Sequence, residues 1–220
     1  MPMSLLAPFH TQYNRYLMLE ASQLSCERGH RLLFDGISFQ LESGGLLRVS
    51  GPNGSGKTSL LRIVCGLISP LRGRLAWKQK PMTVGNEAAL DIRYTGHLTG
   101  LSEELSAREN LAFYAAMARF KAATTIDHAL ARLELAQQAD LPVRWLSQGQ
   151  KRRVALARLV LEPAPLWVLD EPFTALDESA IEIVQGLIEE HLAAGNMALI
   201  STHQEVPIRA RSVQRIRLGA

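Results

Sequence analysis

Eight consecutive residues, Gly51-Pro52-Asn53-Gly54-Ser55-Gly56-Lys57-Thr58, have the types and spacing that hold a chain of phosphates. Glycines let successive backbone N–H groups turn inward on anionic oxygens. The lysine supplies a charge for the β- and γ-phosphates, and the threonine hydroxyl is a ligand for Mg²⁺. Ser59 continues the run into a helical pattern, with Leu60, Leu61, Ile63 and Val64 at helical spacing and Gly66 as the expected stop. Before the loop, Leu46-Leu47-Arg48-Val49-Ser50 reads as a short strand. Strand, glycine loop and helix together aim the positive helix end at one anion.

Two carboxylates follow later in the chain. Leu166-Trp167-Val168-Leu169 is apolar at every position, as a central parallel strand is, and it runs into Asp170-Glu171. Asp170 is expected to reach Mg²⁺ through its water shell. Glu171 is then close enough to orient or deprotonate an attacking water. Another buried-type strand, 197–200, ends at Ser201-Thr202-His203. Polar residues at the carboxyl ends of buried strands are where open α/β sheets place their ligands. Ser147-Gln148-Gly149-Gln150 is a capping box with Val154, Ala157 and Leu161 behind it. A serine hydroxyl and a glycine N–H at a helix start make a second anion site.

The elements that position these groups are legible in outline. Residues 18–24 and 37–41 read as strands, 42–45 as a turn into the strand before the loop, 70–73 as a turn, and 74–77 as a returning strand. Residues 78–86 read as an exposed loop. From 95 to 161 the pattern is helical: Ser106-Ala107-Arg108-Glu109 is a capping box, and Thr125 caps a helix with Ile126, Ala129, Leu130 and Leu133 on one face. A further helix opens near Asp177. A run of helices between strand-rich segments predicts an inserted helical subdomain.

The composition sets bounds. With 220 residues, 47% hydrophobic and 20% charged, the chain can bury the core of one large domain or of a domain with an insert. No run approaches the about 18 apolar residues of a transmembrane helix. Residues 1–16 lack a signal peptide's basic start and apolar core, and read as a loose extension. Cys26 and Cys65 fit free thiols in a reducing compartment. The net charge of +3 is mild. Arg209, Arg211, Arg215 and Arg217 make the C-terminus basic and read as a solvated tail.

In this order the motifs resemble the ATP-binding cassette (ABC) ATPases, whose signature L-S-G-G-Q stands here as L-S-Q-G-Q. The resemblance covers nearly all of 18–218. It implies an α/β P-loop NTPase core with an antiparallel β subdomain and an inserted helical subdomain: one domain over 17–220, with the helical part at about 97–162. It also implies ATP and Mg²⁺ as cofactors. Two copies would pair head to tail, each ATP lying between the loop 51–58 of one and Ser147, Gln148, Gly149 and Gln150 of the other. Phe173-Thr174-Ala175-Leu176-Asp177 is similar to the D-loop that crosses such an interface. His203 matches the switch histidine, expected at the γ-phosphate and coupled to Glu171.

Two positions depart from the family pattern. The glutamine expected beside Gly96 is replaced by His97 or Leu98. His97 could supply a nitrogen to the metal or hold a water. Where an aromatic usually stacks on adenine, alignment places Arg28, whose guanidinium can also stack on a base.

Tyr94-Thr95-Gly96-His97, Arg108-Glu109-Asn110-Leu111 and residues 150–159 resemble the haem-exporter ATPases of cytochrome c biogenesis. That resemblance implies a peripheral subunit on the cytoplasmic face of a bacterial inner membrane. Its partners would be separately encoded integral membrane subunits, CcmB-like and possibly CcmC-like. No nucleic-acid partner and no haem site in this chain are expected, since no C-x-x-C-H is present. The alternatives are an ABC ATPase for another substrate and a soluble single-cassette assembly ATPase, for example for iron–sulfur clusters.

Overall fold

Residues 166–169 are apolar throughout because their strand is covered on both faces. The computed structural model describes residues 18–85, 90–117 and 124–219; the extension at 1–16 and Asn86 of the expected loop lie outside them. Five parallel strands form one sheet in the order β6-β7-β8-β3-β9: β3 (Gly45–Ser50), β6 (Ile92–Thr95), β7 (Leu166–Asp170), β8 (Met197–Ser201) and β9 (Ser212–Arg217). Side chains alternate across a strand. Leu47, Val49, Leu166, Val168, Met197 and Leu199 therefore enter one buried cluster, with Leu60, Leu61 and Val64 of α1 (Lys57–Val64). Leu46, Trp167, Leu169, Ala198 and Ile200 enter the other. That second cluster includes residues of α2 (Ala107–Met117), α3 (Ile126–Arg132), α4 (Gln148–Leu161) and α5 (Glu178–Ala193).

A separate antiparallel sheet packs over α1, in the order β2-β1-β4-β5: β1 (Met18–Arg28), β2 (Arg31–Glu42), β4 (Arg72–Trp77) and β5 (Lys80–Pro81). The expected strands were too short here. β1 runs on to Arg28 through register shifts after Ala21, Leu24 and Cys26, with Gln23 at φ 52°. Each bulge resets the two-residue period and hides the continuation from a reading by alternation. The expected loop after Trp77 holds the short strand β5.

The basic C-terminus is a correction to the expected solvated tail. Residues 212–217 form β9, paired in parallel with β3 from Gly45↔Ser212 to Ser50↔Arg217. Ile216 is half-buried and Leu218 fully buried, while Arg215 and Arg217 face solvent. Outward arginines suit a sheet edge, where they oppose further strand pairing.

The three predicted caps are present. Ser106 and Glu109 bond reciprocally, Thr125 accepts from the N–H of His128, and Ser147 and Gln150 form a second capping box. α2, α3 and α4 follow β6 and precede β7, and their packed faces include Leu111, Leu130 and Val154.

One buried histidine couples this core to pH. His191 stacks on Trp167 with ring centroids 3.8 Å apart, and its Nε2 lies 3.0 Å from the carbonyl of Met197. Burial pushes its pKa down to about 4. The unfolded chain takes up this proton near pH 6.5, whereas the folded chain resists until about 4. The stability is therefore complete above pH 6.5 and declines as pH falls towards 4, by about 3 kcal/mol. Urea unfolding at pH 7 and pH 4.5 should show the decline. His191→Phe, which keeps the stack and cannot protonate, should flatten it. An equal pH slope in both proteins would contradict the assignment.

Candidate active site

The ends of four neighbouring strands supply the site. β3 leads into Gly51, β8 into Thr202-His203, β7 into Glu171, and β6 into Gly96-His97. The backbone of the loop is one that glycine permits. Gly51 has φ 142°, and a Cβ there would lie 2.4 Å from the carbonyl oxygen of Leu218. Gly56, the N-cap of α1 at φ 100°, would place a Cβ 3.0 Å from Leu33 and Phe34 of β2. The loop is thus fitted between β9 and the antiparallel sheet.

Lys57 is buried, and its Nζ donates to the carbonyls of Gly51 (2.9 Å) and Pro52 (3.3 Å). It also lies 3.0 Å from His203 Nε2. Glu171 Oε1 is 3.3 Å from that same nitrogen, and the backbone N–H of His203 donates to Glu171 Oε2 at 3.3 Å. Nε2 can accept from Lys57 or donate to Glu171, but not both at once. Nearby, Thr58 Oγ1 donates to Asp170 Oδ2 at 2.7 Å, and Ser201 Oγ donates to Asp170 Oδ1. Asp170 is 1% exposed.

Lys57, Thr58, Asp170, Glu171 and His203 line one cleft of about 640 Å³ with Asn53, Gly54, Gly56, Ser59 and His97. Gly51, Pro52 and Ser55 complete the loop around it. Leu33 also lines the cleft; the sequence reading missed it, because an apolar residue at the start of a strand carries no chemical signal of its own. Arg28 is not brought to this cleft. It stands exposed at the end of β1, in register with Arg31.

Neither Ser147, Gln148, Gly149 nor Gln150 lines the cleft, and Ser147 and Gln148 are exposed. Gly149 meets the D-loop-like segment instead: a Cβ there would lie 2.7 Å from the carbonyl oxygen of Ala175. Asp177 caps α5 through the N–H of Ala180 at 2.9 Å, and that bond holds its carboxyl below the usual range. The sequence reading also missed Arg152, which α4 buries against the carbonyls of Asp170 and Glu171. Its position on the helix gave a signal: it shares a face with Ala155, Leu156 and Leu159, all buried.

The cleft offers loop N–H groups and a lysine for phosphates, a hydroxyl and a carboxylate for a hard cation, and a carboxylate with a histidine for a water. Comparisons with known proteins give the family. The ABC transporter family profile matches residues 34–174. The cytochrome c biogenesis ATP-binding export protein CcmA of Dechloromonas aromatica is 50% identical over 92% of this chain and 100% of its own length. Its counterpart in Nitrosospira multiformis is 48% identical, over 91% of this chain and 98% of its own. Among solved structures, a dimeric ATP-binding cassette bound to ADP and Pi shares the fold, with a TM-score of 0.73 and 22% identity over 84% of this chain and 88% of that one. The chain is an ATPase of the ABC transporter family, and within it belongs to the cytochrome c biogenesis ATP-binding export proteins.

Proposed function

We propose that ATP hydrolysis at this cleft drives a membrane complex for haem export, or release from a haem chaperone, in c-type cytochrome maturation. The observation that carries the catalytic part is the convergence of Lys57, His203 and Glu171 beside Thr58 and Asp170. Gly51, Pro52, Asn53, Gly54, Ser55, Gly56 and Ser59 cradle the phosphates. Ser55 Oγ is buried beside Gly51 with no hydrogen-bond partner among the described residues. Lys57 leaves the carbonyls of Gly51 and Pro52 for the phosphates. His203 Nε2 then no longer accepts from Lys57 and is free to donate to Glu171. Glu171 takes the proton of the attacking water.

Thr58 and Asp170 fit Mg²⁺, a cation that favours oxygen ligands and keeps several waters. Bound there, it would offset the negative charge of the phosphates. His97 stands at the same cleft and is the residue proposed to replace the missing glutamine. Arg28, exposed at the end of β1 outside the cleft, would stack only on a base that extends beyond it.

The two phosphate-binding helix starts do not share a cleft within one chain. A head-to-tail homodimer brings Ser147, Gln148, Gly149 and Gln150 of one copy to the loop of the other, with Asp177 at the crossing. The neighbour solved as a dimer supports this reading. Residues 17–220 then act as one cassette, with 97–162 as the helical part.

The membrane side is read from apolar exposure. Leu98 is 85% exposed, Phe113 60% and Met117 69%. Leu101 packs partly against the core, and Leu111 is fully buried. Leu101, Phe113 and Met117 line a groove of about 750 Å³. Among the described residues no helix is long and apolar enough to cross a membrane. The groove is proposed to receive CcmB-like integral subunits, with a CcmC-like protein as a further partner, at the cytoplasmic face of a bacterial inner membrane.

A strain lacking the gene should lose holo-cytochrome c and regain it on complementation. Phe113→Glu and Leu98→Glu should fail to restore it while binding ATP as well as wild type, because a carboxylate buried without a partner opposes docking. Normal maturation in the deleted strain would overturn the haem reading and leave an ABC ATPase for another substrate.

A further inference from the structure

The helix that begins at the signature sends a buried cation into the turn that carries Glu171. Arg152 is 4% exposed, and four main-chain carbonyls hold its guanidinium. Nη1 donates to Gly96 at 2.7 Å. Nη2 donates to Asp170 at 2.7 Å and to Glu171 at 3.1 Å, and Nε reaches Pro172 at 3.5 Å. Arg158, farther along α4, donates to the carbonyls of Thr99 (3.2 Å) and Gly100 (2.8 Å). One helix therefore grips both the turn after β7 and the loop that carries His97.

The turn needs such a grip. Glu171 has φ 52°, a left-handed backbone that a glutamate keeps only where its surroundings impose it. From β8, Ser201 accepts the N–H of Glu171 at its carbonyl (3.0 Å) and its hydroxyl (3.1 Å). From α4, Arg152 binds the carbonyl on the opposite side of the same residue. Remove either support and the Glu171 carboxylate loses its fixed direction towards His203.

We infer that Arg152 is a positioning residue for hydrolysis: its fork fixes the strained turn that aims Glu171, and ties that aim to the signature helix and to the loop at Gly96. The inference rests on the proposed role of Glu171 as base. Its partners are carbonyls spread over two segments, so the planar fork matters more than the charge. A lysine has the charge without the fork. Any shift of α4 relative to the parallel sheet changes the Glu171 turn and the 96–100 loop together, and the signature at the start of α4 moves with them.

The test uses the full chain with Arg152→Lys and Arg152→Gln. The dissociation constant for a non-hydrolysable ATP analogue, KM, kcat and thermal unfolding are measured, with kinetics read below the melting temperature of the weaker variant. Both variants should lose about a hundred-fold in kcat, as expected when a reacting group is misplaced by an ångström. KM and the dissociation constant should stay within about two-fold, the pattern of an interaction used only in the transition state. A merely structural role would weaken binding in step with kcat, and that outcome overturns the inference, as does wild-type kcat in Arg152→Lys. Glu171→Gln alone separates the two layers. If it still turns over, the reading of Glu171 fails. If it is inactive while Arg152→Lys is not impaired, the positioning role alone fails.

Discussion

Glu171→Gln should bind ATP normally and hardly turn it over. The amide has the shape of the carboxylate, so the N–H of His203, now 3.3 Å from Oε2, can keep an acceptor. It cannot take a proton from water. A positioned general base contributes about 10²–10⁴-fold, and this factor should vanish from kcat with little change in affinity. ATP that binds and is not hydrolysed should hold two copies together. Sizing in ATP and Mg²⁺ should then show a dimer carrying trapped nucleotide, while wild type returns to monomer as ATP is consumed. Turnover within a few-fold of wild type would remove Glu171 from the chemistry and point to another base.

Lys57→Ala acts one step earlier. The ammonium is held by two carbonyls, so losing it removes no buried ion pair. The fold should survive with a near-native melting temperature. Nucleotide binding should not survive. Two hydrogen bonds to charged phosphate oxygens are lost, at about 1.5–3 kcal/mol each, which is more than a hundred-fold in affinity. Calorimetry checks it, and wild-type affinity in the variant would refute the assignment of the loop. The same variant frees His203 Nε2 from Lys57 and leaves Glu171 as its neighbour.

The groups of the candidate site were legible because chemistry restricts residue type and spacing. The phosphate loop, Asp170-Glu171 and the Ser147 capping box each combine a polar requirement with an abrupt change in hydrophobic pattern. The apolar strands that deliver them, 166–169 and 197–200, were legible for the opposite reason: covered on both faces, they leave no polar position. What escaped the reading depends on contacts between distant segments. β9 looked like a basic tail because its arginines lie on the solvent side of an edge strand, and only pairing with β3 ties it down. The length of β1 was hidden by its bulges. Arg152 sits in a run of three cations, Lys151-Arg152-Arg153, and its neighbours give no hint that one of them points inward. The apolar face it shares with Ala155, Leu156 and Leu159 does.

The absent glutamine beside Gly96 shows how far local pattern reaches. His97 does stand at the cleft, as the loop position required. The attachment of that loop to α4 through Arg152 and Arg158 is a property of the fold, and no local pattern announces it. Leu98, on the same loop, projects into solvent beside the apolar groove. A cleft-lining histidine and an exposed leucine are thus adjacent in the chain, and a small rotation of the loop would be felt on both sides.

The most direct test of the shared site mixes two dead proteins. Lys57→Ala spoils the phosphate loop and leaves the signature, whereas Ser147→Arg spoils the signature and leaves the loop. Each alone should form only defective sites. In a head-to-tail pair made from one of each, the intact loop of one chain faces the intact signature of the other, and one site of the two is whole. An equal mixture should therefore recover roughly a quarter of wild-type turnover, as expected for a two-fold dimer with random pairing. A mixture as inactive as its components, with hetero-pairs shown to form, would contradict a site built from two copies.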